Sequence, residues 1–103
     1  MKDPFYAIGD PGRRQILLLL AGTSMSINTI ANNFEMSRPA VSKHIKILAD
    51  AGFIGITDVG RERHCHLKQE GFAALQKWIQ FFDAFWLDKL SNLERLMNGE
   101  ADA

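Results

Sequence analysis

The 103-residue chain is short of cysteine, of net charge and of long apolar runs, and each shortage excludes something. Its one cysteine, Cys65, cannot make an internal disulfide, so a packed core must hold the fold, and a reducing cytoplasm is the expected location. The apolar run from Ile16 to Ala21 is far too short to span a bilayer, and Met1-Lys2-Asp3-Pro4 lacks the apolar stretch of a signal peptide. No membrane partner is expected. There is no phosphate-binding glycine loop, metal-ligand set or nucleophile motif, so neither an enzyme nor a cofactor is expected. Ser42 and His44, two apart on a helix, point in different directions and do not form a dyad. No repeat, linker or low-complexity stretch divides the chain, which reads as one domain over residues 1–103.

The formal net charge of zero, with 12 basic and 12 acidic residues, argues at first against a nucleic-acid partner. The distribution argues the other way. Between Ser37 and Lys68 the cations Arg38, Lys43, Lys46, Arg61, Arg63 and Lys68 face only Asp50, Asp58 and Glu62. From Gln69 onward Glu70, Asp83, Asp88, Glu94, Glu100 and Asp102 outnumber Lys77, Lys89 and Arg95. Such a polarised molecule would attract phosphates to one face and repel them from another.

Apolar residues make up 47% of the chain, enough for a real core, so the remaining question is how they are arranged. Asp3-Pro4 opens a short helix with Phe5, Tyr6 and Ile8, closing at Gly9. Asp10-Pro11 pairs an N-cap with proline at the first helical position and starts a second helix that Gly22 stops. Because Ile16 to Leu20 is apolar all round, this helix is expected to be central and buried. Ser26 caps a third, with Ile27, Ile30, Ala31 and Phe34 at the spacing of one buried stripe. After a brief break at Glu35-Met36, Ser37 caps a fourth, with Pro39 in its first turn and Val41, Ile45 and Leu48 facing inward. Gly52 ends it. Phe53 to Asp58 and Arg63 to Leu67 form a hairpin about Val59-Gly60, and Gln69 to Met97 a long helix whose first turn Gly71 weakens. The expected fold is mainly α with a small β-hairpin, in the order α-α-α-α-β-β-α.

Two short amphipathic helices joined by a tight turn are the pattern of a helix-turn-helix, whose second helix must be small, polar and basic outside to enter the major groove. Ser37, Arg38, Ser42, Lys43 and Lys46 meet that need. Arg38, near the helix start, is suited to bidentate contact with guanine, and the serines to bases or phosphates. A ribbon directly after, tipped by Gly60-Arg61-Glu62-Arg63, reads as a wing whose arginines suit a narrow minor groove.

These segments carry a specific resemblance. Asp10-Pro11-Gly12-Arg13-Arg14-Gln15-Ile16-Leu17 resembles the "DPxRRxxIL" opening helix of the ArsR-type (arsenic-repressor-like) family. Ser37-Arg38-Pro39-Ala40-Val41-Ser42-Lys43-His44-Ile45-Lys46-Ile47-Leu48 is similar to its recognition helix, "SxxxVSxHLxxL", and Ala51-Gly52-Phe53-Ile54 to its "AGLV". The resemblance implies a winged helix-turn-helix core over 10–67 and a dimeric repressor of double-stranded DNA acting on an imperfect palindrome. It implies DNA contacts from Arg38, Ser42, Lys43, Lys46, Arg61 and Arg63. His44 matches the family pattern too, but its helical angle marks it as structural first, with a phosphate contact as the second reading. Arg13 and Arg14 are expected either at the DNA backbone or in an exposed or salt-bridged role beside the core.

The last helix carries more apolar surface than a small domain can cover from one side, and a two-fold partner is the usual solution. The expected homodimer interface takes Trp78, Phe82, Phe85, Trp86, Leu90 and Leu93, completed by Phe5 and Tyr6; the dimerisation helices are thus about 3–9 and 69–97. Metal sensing is not expected, because Met25 to Ala31 has no thiol and the last helix no histidine. In His64-Cys65-His66 the strand alternation sends the thiol away from both imidazoles, and zinc wants four ligands. The rivals to a repressor are a winged-helix module for protein contacts, a metal- or redox-responsive repressor, and a repressor with a small-molecule effector lodged near Trp78, Phe82 or Trp86.

Overall fold

Each of the first helices is started by a side chain that accepts an otherwise unpaired backbone N–H. Asp3 takes that of Phe5, Asp10 that of Arg13, Ser26 that of Thr29 and Ser37 that of Ala40, at 2.9, 3.0, 3.1 and 3.3 Å. The computed structural model describes residues 2–99; Met1, Glu100 and Asp102 of the sequence argument lie outside them. The elements are α1 (Pro4–Ile8), α2 (Pro11–Leu20), β1 (Met25–Ser26), α3 (Ile27–Asn32), α4 (Arg38–Asp50), β2 (Ile54–Val59), β3 (Glu62–Leu67) and α5 (Gln69–Met97). This is a winged helix-turn-helix, mainly helical with a small antiparallel sheet.

The sheet has one strand more than the hairpin that was expected. Its order is β1-β3-β2, with Met25 opposite Cys65 and Ser26 opposite His64. A two-residue strand has no periodicity to read; long-range pairing alone makes it. The pairing puts β3 in the centre and ties the base of the wing to the start of α3.

Helix α4 closes in a Schellman turn: Gly52 N–H donates to Ala49 O, Phe53 N–H to Leu48 O, and Gly52 adopts φ 83°. The turn aims Phe53 into the core, where it is fully buried with Ile16, Ile30, Val41, Ile45, Leu48, Ile54 and Cys65. The start of α5 is pinned there as well, through Lys68 N–H to Phe53 O and Gly71 N–H to Gly52 O. Gly71 is more than a weak point in the first turn. A Cβ at that position would stand 2.8 Å from the Phe53 ring, so only glycine lets α5 approach.

Helix α2 departs from the expectation of burial all round. Ile16, Leu17 and Leu20 are buried, but Leu18 is 67% exposed. It lines an apolar depression of about 420 Å³ with Ile8, Leu17, Ala21, Leu67, Phe72 and Leu75. The core approaches α2 from one side only, which a uniform apolar run cannot reveal.

Candidate nucleic-acid interface

Helices α3 and α4 form the two halves of the motif, joined by residues 33–37, a longer turn than the sequence suggested. The chain leaves α3 early because Asn33 caps it and its amide donates to Thr29 O at 2.8 Å, leaving Phe34 half-buried in the turn. Val41, Ile45 and Leu48 anchor α4 to the core, so its other face is turned to solvent. Arg38, Lys43 and Lys46 are exposed there and Ser42 is half-buried.

Arg38, Ser42 and Lys46 share a groove of about 530 Å³ with Arg63 of the wing strand, floored by Ile27, Ile45, Ala49 and Ile56, with Asp50 at its edge. The recognition helix and the wing therefore contribute cations to one surface. Ser37, Lys43 and Arg61 are exposed but do not line this groove; Arg61 stands beside the hairpin turn at Gly60. Arg63 lies 3.8 Å from Asp58, its cross-strand neighbour. Both side chains are well exposed, so the pair holds Arg63 only weakly and leaves it available to a stronger anion.

Sequence reasoning missed Asn28. Its Oδ1 accepts a hydrogen bond from Arg38 Nε at 2.8 Å, while Arg38 Nη1 donates to Ser42 Oγ at 2.7 Å. Asn28 belongs to α3 and Arg38 to α4, and nothing in the local pattern of either helix announces the contact.

Arg13 occupies neither of the places expected of it. Only 7% exposed, it donates from Nε to Ala7 O at 2.6 Å and from Nη2 to Tyr6 O at 3.1 Å, and its guanidinium lies 5.2 Å from the Tyr6 ring centroid. Arg14 Nη1 donates to Ile8 O at 2.7 Å. The two arginines thus reach the last carbonyls of α1: those of Ala7 and Ile8, and that of Tyr6, which the Gly9 N–H also pairs. Arg13 Nη1 also lies 3.3 Å from His44 Nδ1. A guanidinium only donates, so Nδ1 accepts and the imidazole proton sits on Nε2. His44 is a structural link between α4 and α2. Nearby, the Arg13 backbone N–H holds the Asp10 carboxyl below its ordinary value against desolvation, with the charge of Arg13 adding to the effect.

In the hairpin, Cys65 is buried while His64 and His66 stand half-buried. His66 lies against Gly55, and His64 Nε2 is 3.0 Å from Glu62 Oε2. Burial pushes the Cys65 thiol up, with Arg63 opposing, the reverse of what a reactive thiolate needs.

A second surface is apolar. Beyond Leu75 helix α5 leaves the core, and the described residues reach 68 Å along their longest axis. The radius of gyration is 19.8 Å, against about 13 Å for a compact domain of 100 residues. Trp78 is 55% exposed, Phe81 70% and Trp86 59%; Phe85, Leu90 and Leu93 are exposed as well. Phe5 of α1 packs edge-on against Trp78 at 5.4 Å, and Trp78 against Phe82 at 4.9 Å. Tyr6, grouped with these from sequence, is not brought to them. It lies under Arg13 and lines a depression with Lys2, Asp3, Ile47 and Asp50, on the α4 side of α1. Among the described residues no helix is long and apolar enough to cross a membrane.

Comparison with known proteins agrees with this architecture. Residues 10–55 match the model of a family described as bacterial regulatory protein, arsR family. The chain is 33% identical over 98 residues to the HTH-type transcriptional regulator Rv2034 of Mycobacterium tuberculosis, covering 95% of this chain and 89% of that one. It is 46% identical over 54 residues to the transcriptional repressor SdpR of Bacillus subtilis, covering 52% of this chain and 60% of the repressor. A crystal structure of a possible transcriptional regulator for arsenical resistance superimposes with a TM-score of 0.72 at 31% identity, over 99% of this chain and 100% of that one. With the helix-turn-helix, the wing and a relative matched along nearly its whole length, the chain belongs to the arsR family of bacterial transcriptional regulators.

Proposed function

We propose that this regulator is a sequence-specific repressor that binds double-stranded DNA in the cytoplasm as a homodimer, on a palindromic operator. The observation that carries the reading is the groove in which Arg38, Ser42 and Lys46 of α4 meet Arg63 of the wing on the solvent side of the motif. Arginine and lysine there suit phosphates and guanine edges, and the exposed Lys43 and Arg61 widen the cationic surface. Ser37, its hydroxyl already capping α4, retains a hydrogen to donate. The relatives' descriptions, a regulator and a repressor, support the same reading.

The homodimer rests on α5. A helix of 29 residues, about 44 Å long, does not stand alone in water unless its apolar face is covered. Phe5, Trp78, Phe82, Phe85, Trp86, Leu90 and Leu93 supply that face, and a two-fold axis through it would set two recognition helices about 34–36 Å apart, one turn of DNA.

Fluorescence anisotropy with the promoter-region duplex of its own gene and with a scrambled duplex, over a range of salt, tests the proposal. Tight binding to the promoter alone, weakening steeply with salt, is the expected result. Equal, weak binding to both duplexes would instead favour a protein-interaction module.

A further inference from the structure

We infer that Asn28 is a positioning residue for sequence reading: it holds the Arg38 guanidinium in the orientation from which it contacts a base. The inference rests on the DNA-binding reading and adds a residue from the first helix of the motif, on which no DNA contact has been placed.

Arg38 is the side chain to be held. It occupies the first position of α4, exposed, on a long flexible side chain that would otherwise sample many rotamers. Two acceptors restrain it from different elements. Asn28 Oδ1 on α3 takes the Nε hydrogen at 2.8 Å, and Ser42 Oγ, one turn along α4, takes an Nη1 hydrogen at 2.7 Å. Both bonds involve a charged donor and are short, which makes them the stronger kind. Together they fix the plane of the guanidinium as well as its position, because the acceptors engage different nitrogens.

The remaining donors are the informative part. Guanidinium carries N–H groups on all three nitrogens, and after these two bonds the Nη2 amino group and the second Nη1 hydrogen have no partner among the described residues. They lie at the end of the side chain, where a base edge presenting two acceptors, as guanine does with O6 and N7, can be met. Neither acceptor is acidic: Asn28 and Ser42 are neutral, so neither offsets the charge that Arg38 presents to DNA. An aspartate at residue 28 would hold the side chain at the cost of that charge. Asn28 is also exposed, in the first turn of α3, and is a poorer helix former than alanine. Its removal therefore spares the fold.

The test uses the full chain. Selection from a random duplex library gives the preferred site, and anisotropy then compares that duplex with its single-base variants. The proteins are wild type, Asn28→Ala, Asn28→Asp, Arg38→Ala and the double variant Asn28→Ala/Arg38→Ala. Wild type is expected to discriminate strongly at the base pair that Arg38→Ala ceases to read. Asn28→Ala is expected to lose about 5-fold of that discrimination, part of the 5- to 150-fold span of a bidentate contact, with an unchanged salt slope. Asn28→Asp, which keeps an acceptor, is expected to restore discrimination while binding all duplexes more weakly. In the Arg38→Ala background the Asn28→Ala change is expected to do nothing, since its route has been removed.

Wild-type discrimination retained in Asn28→Ala overturns the inference. So does a uniform loss across all duplexes that persists without Arg38, which would make Asn28 a direct backbone contact. If wild type enriches no sequence at all, the DNA-binding reading fails and the inference with it.

Discussion

The helix-turn-helix half and the part of α5 beyond Leu75 treat their apolar residues in opposite ways. In the first, Ile16, Ile30, Val41, Ile45, Leu48 and Phe53 are buried by their own chain, and the polar groups outside are hydrogen-bonded to one another, as Arg38 is to Asn28 and Ser42. In the second, Trp78, Phe81, Phe85, Trp86, Leu90 and Leu93 are exposed, and the edge-on contacts among the rings leave their outer faces open. The first unit can be stable by itself. The second can be completed only by another surface, so its order should depend on protein concentration while that of the first should not.

The largest effect expected of a single change lies in the self-sufficient half. Phe53→Ala removes the side chain that joins the α4 turn, the sheet and the start of α5, and about 3–5 kcal/mol of unfolding free energy should go with it. Urea denaturation at a fixed high protein concentration measures this. A loss under 1 kcal/mol would mean that the core is not organised around Phe53.

A change on the open face should separate the halves. Trp86→Glu places a charge in the centre of the exposed stripe, and sedimentation equilibrium should find dimerisation weakened about 30-fold or more, the scale of one interfacial hot spot. The folded core of the monomer should survive. A wild-type chain that sediments as a monomer at every concentration would break the comparison outright.

At the groove, Arg38→Ala should remove about 1–3 kcal/mol of discrimination at one base pair, whereas Lys46→Ala should weaken all duplexes alike and lower the salt slope by about 1. Matching losses from both, independent of sequence, would show that the groove does not divide reading from holding.

The smallest effect concerns the cap of α2. Because its carboxyl is held below the ordinary value in the fold, Asp10 contributes stability that is present above its unfolded value, near 3.8, and is lost as pH falls through the lower folded one. Asparagine caps equally well without titrating, so Asp10→Asn should leave melting near pH 7 almost unchanged and flatten the decline below about pH 4. An equally steep acid limb in the variant would assign that decline to other carboxylates.

Much of the architecture was legible because its signals are local. Asp3, Asp10, Ser26 and Ser37 each lie just before a helix whose third or second N–H they accept, and the long span of α5, from roughly Gln69 to Met97, followed from its many apolar residues although Gly71 left its start loosely set. The composition of the groove was legible too, since Arg38, Ser42 and Lys46 sit on the polar side of one helix. The contrast between a basic middle and an apolar end was already written along the chain.

What the sequence could not decide involves residues that meet across space. Arg13 looks like a surface arginine until the turn at Gly9 brings it to the last carbonyls of α1, those of Tyr6 and Ala7. Met25 and Ser26 become a strand only because β3 lies alongside, and Gly71 matters only because Phe53 arrives beneath it. Leu18 looks buried within its run and is exposed because no second layer covers that side of α2. Asn28 and Arg38 are partners because the turn between α3 and α4 folds one helix start over the other. By itself the sequence determined the helices, the hairpin and their polarity, through caps and periodicity. The tertiary structure alone decided which polar groups pair and which apolar ones stay open, because both depend on what packs beside them.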